Sequence, residues 1–127
     1  MTEHGRLQAL EPAWLLVWCR GLLAANGLFW LVAAFGLVLG PWARAGVGIL
    51  IVLMIANGAV LLGLSRWLRG LGPSVLIAAP LWVAVNLILT LTDQVGPADL
   101  AVMVLNAITL LLLLTLGVVW WRRRVAD

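Results

Sequence analysis

Nearly all of the chain falls into four long apolar runs, and the polar positions gather in the short breaks between them. The runs cover 12–39, 41–68, 73–92 and 97–123. Each matches the roughly 20 apolar residues that a membrane-crossing helix needs. No stretch alternates apolar and polar with period two, so a transmembrane β-barrel is not indicated. A strong 3.6-residue stripe is also missing, as expected for helices whose outer faces meet lipid rather than water. In hydrocarbon only helices and closed barrels satisfy every backbone group. The pattern therefore predicts an all-α membrane protein, a four-transmembrane-helix antiparallel bundle forming a single domain over 1–127. Short loops make successive helices antiparallel neighbours.

Proline marks the starts. Glu11-Pro12, Gly40-Pro41, Gly72-Pro73 and Gly96-Pro97 each precede an apolar run. Proline suits the first position of a helix, where its missing N–H would have no intrahelical partner. The fifth proline, Pro80, lies inside the third run. There it removes a hydrogen bond to Leu76, and a kink is expected.

Composition agrees with the pattern. The chain is 65% hydrophobic and 10% charged, against about half and a quarter in soluble domains. The polar stretch from Met1 to Glu11 is too short to enclose a core. The apolar run after it exceeds the roughly 7–15 residues of a signal h-region, so it reads as a retained span.

Charge sets the expected orientation. Arg6, Arg20, Arg66, Arg69, Arg122, Arg123 and Arg124 fall on one side of a four-span chain, and Arg44 falls alone on the other with Asp93 and Asp99. The positive-inside rule places the seven in the cytoplasm. The expected address is a cell inner (plasma) membrane, multi-pass, with N and C termini cytoplasmic. Trp18, Trp67, Trp120 and Trp121 would form an inner aromatic belt, with Trp42 at the outer interface. Arg20 would lie at the inner headgroups, its stem snorkelling from the helix, or else serve a buried ion pair or a ligand. The arginines form no solvated basic domain, which argues against nucleic acid.

Each run carries one asparagine: Asn26, Asn57, Asn86 and Asn106. At 1.5 Å per residue, Asn26 lies about 9 Å past Arg20 and Asn57 about 13 Å from Arg66; Asn86 and Asn106 lie about 10 Å from Asp93 and Asp99. This places the first two in the inner half and the last two in the outer half, so amides are expected to pair between helices 1 and 2 and between helices 3 and 4. Asn26 and Asn57 share a local pattern, Ala25-Asn26-Gly27 and Ala56-Asn57-Gly58, which hints at a pseudo-twofold hairpin with close backbone approach. The amides are either interhelical glue or a ligand-binding site for a small molecule, lipid or ion.

The third break holds Asp93 and Asp99. Asp99 stands in the first turn of helix 4, where the helix dipole favours it, whereas Asp93 ends helix 3, where the dipole does not. Arg44 is the cation available on that side. An outer-loop ion pair is expected, with a carboxylate-pair site as the alternative. The surrounding segment, Leu89-Thr90-Leu91-Thr92-Asp93-Gln94, together with the two Ala-Asn-Gly segments, resembles uncharacterised small four-span bacterial membrane proteins. That resemblance implies a fold and a bacterial inner membrane address, and no activity.

Recognisable catalytic chemistry is sparse. His4 is the one histidine and Cys19 the one cysteine, so no metal site, haem pair or cofactor is expected. No phosphate-binding loop of the G-x-x-x-x-G-K type occurs. Small multidrug exporters depend on a glutamate in their first span, where this chain has Asn26. Fluoride channels form dual-topology dimers, which the arginine asymmetry disfavours. The expectation is a non-enzymatic structural or accessory protein whose partners are the lipid bilayer and a homo-oligomer or larger membrane complex. The alternative is a binder or transporter of a small molecule, lipid or ion that uses the asparagines.

Overall fold

The computed structural model describes the backbone of residues 3–41, 46–92 and 96–127, and the side chains of the same segments from residue 13 onward. Four helices account for it: α1 (Glu3–Leu39), α2 (Val47–Trp67), α3 (Pro73–Thr92) and α4 (Pro97–Ala126), with a 3-10 turn at Leu68–Gly70 after α2. No strand occurs among the described residues. All four helices are long and apolar enough to cross a membrane.

Two of the four proline starts hold. Pro73 and Pro97 open α3 and α4. Pro12 does not open α1, which already begins at Glu3, and Pro41 lies in a turn ahead of α2, which begins at Val47 after Gly46. Proline is compatible with a first helical turn but does not require one. The helix of α3 continues across Pro80.

The turn from α2 to α3 is tight. Leu71 adopts a left-handed backbone conformation (φ 43°) and donates its N–H to the Leu68 carbonyl at 3.2 Å. A side chain at such a position is unfavourable, and here it packs against the core, which offsets the cost.

Helices α1 and α2 form the most extensive pair. They run antiparallel in one register, with Arg20 opposite Ser65 and Gly27 opposite Gly58. At the second crossing the backbones nearly touch. A Cβ built on Gly58 would lie 2.8 Å from the Gly27 carbonyl oxygen, and one on Gly27 would lie 2.9 Å from that of Gly58. The repeated Ala-Asn-Gly segments therefore do mark a pseudo-twofold crossing, and glycine is required at its centre. Next in extent come α3 with α4 and α1 with α4; α2 and α3 touch sparsely.

The apolar core is concentrated toward the arginine-bearing end. Leu15, Cys19 and Leu23 of α1 meet Leu61, Leu64 and Leu68, Val75, Ala79 and Val83 of α3, and Leu113 and Leu116 of α4. On the other side of the asparagines, Ala34 and Val102 are the buried apolar side chains among the described residues. The spans bury little elsewhere: only 22–28% of the most apolar stretch of each helix is covered by the rest of the protein. Such a surface is compatible with a hydrocarbon solvent and not with water. Lipid is as apolar as leucine, so the bundle relies on close contact and hydrogen bonds more than on apolar burial.

Candidate functional site

The polar side chains that bridge the helices near mid-length are the four asparagines, with Trp82 beside Asn57. In α1 and α2 the glycine that follows each asparagine occupies the helix crossing. One residue is about 100° of helical rotation, so each asparagine is turned away from the crossing and toward a different neighbour. Asn26 reaches α4, where its Nδ2 donates to Asn106 Oδ1. Asn57 reaches α3, where its Nδ2 donates to Asn86 Oδ1 at 2.6 Å.

The pairing is therefore α1 with α4 and α2 with α3, which corrects the expectation of α1 with α2 and α3 with α4. The expected depths are corrected with it. Asn26 lies beside Asn106, Asn57 beside Asn86, and Asn26 and Asn57 flank one crossing, so the four amides form a single layer. Depth counted from the charged flanks requires level helix ends. They are not level: α3 ends about 9 Å beyond Asn86, whereas α1 continues about 20 Å beyond Asn26.

The two seams differ in how completely their amides are used. Between α2 and α3 the bonds close into a ring. Trp82 Nε1 donates to Asn57 Oδ1 at 2.9 Å, Asn57 donates to Asn86, and Asn86 Nδ2 donates to the Trp82 carbonyl at 2.9 Å. The exposed face of Trp82 supplied no sequence signal for this; its spacing of one helical turn from Asn86 is the only clue. Between α1 and α4 the ring stays open. Asn26 and Asn106 are fully buried, yet Asn26 Oδ1 and Asn106 Nδ2 have no partner, and neither does the buried Nε1 of Trp30, one turn along α1 from Asn26. Two donors and one acceptor are thus left uncompensated at this seam.

Threonine hydroxyls add nothing to the site. Thr90, Thr109 and Thr115 donate to the carbonyls of Asn86, Leu105 and Leu111 one turn back on their own helices, the usual way such groups are satisfied in a helix.

Arg20 is tied to the backbone of α2. Its Nε donates to the Ser65 carbonyl at 3.0 Å, and Ser65 Oγ donates to the Arg20 carbonyl at 2.9 Å. A cation at a helix C-terminus is favoured by the dipole.

At the opposite end Asp99 Oδ2 accepts the Gly96 N–H at 2.9 Å, ahead of Pro97. The carboxylate caps α4 and meets the positive end of its dipole. Arg44 and Asp93, the other members of the expected ion pair, lie outside the described residues, as does Trp42. No cluster of metal-ligating side chains occurs among the described residues. Cys19 is buried in the core as a free thiol.

The arginine end carries an aromatic collar. Trp14, Trp18, Trp67 and Trp121 are all exposed there, and the Arg124 guanidinium lies 4.5 Å from the centroid of the Trp120 ring.

No protein-family model, curated protein or solved structure matches the chain. Its four long apolar helices make it an integral membrane protein.

Proposed function

We propose that this chain is a non-enzymatic structural or accessory protein of a bacterial inner membrane, packing against copies of itself or a larger membrane complex, with both termini in the cytoplasm. The observation that supports it most is the pairing of the asparagine amides across two helix seams. Paired amides hold helices together, and Arg20, the arginine inside the first apolar run, is bound to helix backbone. The exposed apolar flanks leave ample surface for a partner. Purification in mild detergent, followed by native mass spectrometry, is expected to recover a stable homo-oligomer or a stoichiometric partner. A strict monomer that carries neither overturns the proposal.

The orientation rests on the arginine asymmetry. A cysteine introduced as Ala126→Cys should react with an impermeant maleimide only after cells are opened, while Ala98→Cys should react in intact cells. The reverse pattern would invert the topology.

A second reading is favoured by one observation. Asn26 Oδ1, Asn106 Nδ2 and Trp30 Nε1 are buried without partners, and buried polar groups without partners are costly. A small molecule able both to donate and to accept hydrogen bonds would satisfy all three. Under this reading the α1–α4 seam is a binding site, and a small polar ligand should co-purify with the wild-type chain and be lost in Asn26→Leu.

A further inference from the structure

At the arginine end, α4 and Leu76 of α3 form an open groove of about 360 Å³, lined on α4 by Leu113, Leu114, Gly117, Val118, Trp121 and Arg122. Its lining follows two rows on α4, Leu113–Gly117–Trp121 and Leu114–Val118–Arg122, each spaced by four residues and so aligned along the helix axis. The interior is hydrocarbon, and Trp121 and Arg122 stand at one end of it. Gly117 is a notch in the first row: a Cβ built there would meet nothing within 4 Å. Arg122 makes no hydrogen bond or ion pair among the described residues, although Arg124 is held over Trp120. All six arginines whose side chains are described, Arg20, Arg66, Arg69 and Arg122 to Arg124, belong to this end of the bundle. The acidic side chain described there is that of the terminal Asp127.

We infer that this groove is a binding site for an anionic phospholipid, with one acyl chain lying along Leu76, Leu113 and Gly117 and the phosphate meeting Arg122. Charge complementarity selects the occupant. A neutral apolar segment would fill the groove but leave the guanidinium unmatched, whereas a phosphodiester with no headgroup cation to offset it pairs with arginine in a charge-assisted contact. Basic pockets between membrane helices on the arginine-rich side are suited to such headgroups. Trp121 is placed as interfacial tryptophans are, with its ring at headgroup level.

The test uses the full chain in detergent, with native mass spectrometry counting retained lipid. The probes are phosphatidylglycerol and phosphatidylcholine with identical acyl chains. Wild type should retain phosphatidylglycerol roughly fivefold better, the factor that one arginine near an anionic surface contributes. Arg122→Gln, a surface change that leaves the core intact, should abolish that preference. Gly117→Leu should reduce retention of both lipids by filling the notch. Equal retention of the two lipids by wild type overturns the inference. So does a preference that survives Arg122→Gln, since the other arginines would then suffice, or unchanged retention in Gly117→Leu, since the groove would then be idle.

Discussion

The seam between α1 and α4 and the seam between α2 and α3 are each bridged by an asparagine pair, yet they hold together in opposite ways. The first is broadly packed, and its amides and Trp30 are left with unused hydrogen-bonding capacity. The second is sparsely packed, and its amides are closed into a ring with Trp82. In lipid an apolar contact gains little from leaving the solvent, while an interhelical hydrogen bond contributes a few tenths of a kcal/mol to about 2 kcal/mol. A seam with little van der Waals contact therefore depends on its polar ring, and a seam with ample contact tolerates an incomplete one.

The contrast can be broken at three levels. The largest effect is expected where both seams are anchored. Gly58→Ala forces a Cβ against the Gly27 carbonyl, displacing Asn26 and Asn57 together, and should destabilise the protein by about 1–3 kcal/mol in detergent-micelle unfolding titrations. Gly63→Ala, with open space around it, is the neutral control. Equal stability of the two variants would mean that the crossing is not tight.

Next comes the closed ring. Asn57→Leu removes two interhelical bonds, and at about 0.6 kcal/mol each the loss should approach 1.2 kcal/mol. Asn26→Leu removes one bond and should cost about half as much, despite the deeper burial of Asn26. The order would reverse if burial, rather than bond count, governed the cost. A double-mutant cycle on Asn26 and Asn106 measures the coupling directly, with about 0.6 kcal/mol expected.

The smallest and most discriminating comparison is between the tryptophans. Trp82→Phe and Trp30→Phe lose similar ring area, but only Trp82 donates a hydrogen bond within the protein. Trp82→Phe should therefore be the costlier by about 0.6 kcal/mol in the same titration. Matching costs would mean that Trp30 does have a partner in the folded protein, and would support a bound polar molecule at the α1–α4 seam.

Much of this architecture is legible in the residues alone. Four apolar runs in a chain with 10% charged residues leave a bilayer as the fitting solvent, and Pro73 and Pro97 locate two helix starts to the residue. The glycines of the two Ala-Asn-Gly segments announce the α1–α2 crossing, and Asp99 two residues after a proline announces a helix cap. These features are local, so backbone chemistry and the solvent are enough to set them. Which amide meets which is not local. It depends on the stagger between helices of unequal reach, and on the glycine that takes the crossing and turns its neighbouring asparagine elsewhere. Nor could periodicity have revealed the seams, because lipid and protein core are equally apolar and a lipid-facing position reads like a buried one. The layer of four asparagines, its closed and open halves, and the groove beneath Arg122 exist only once the helices are packed.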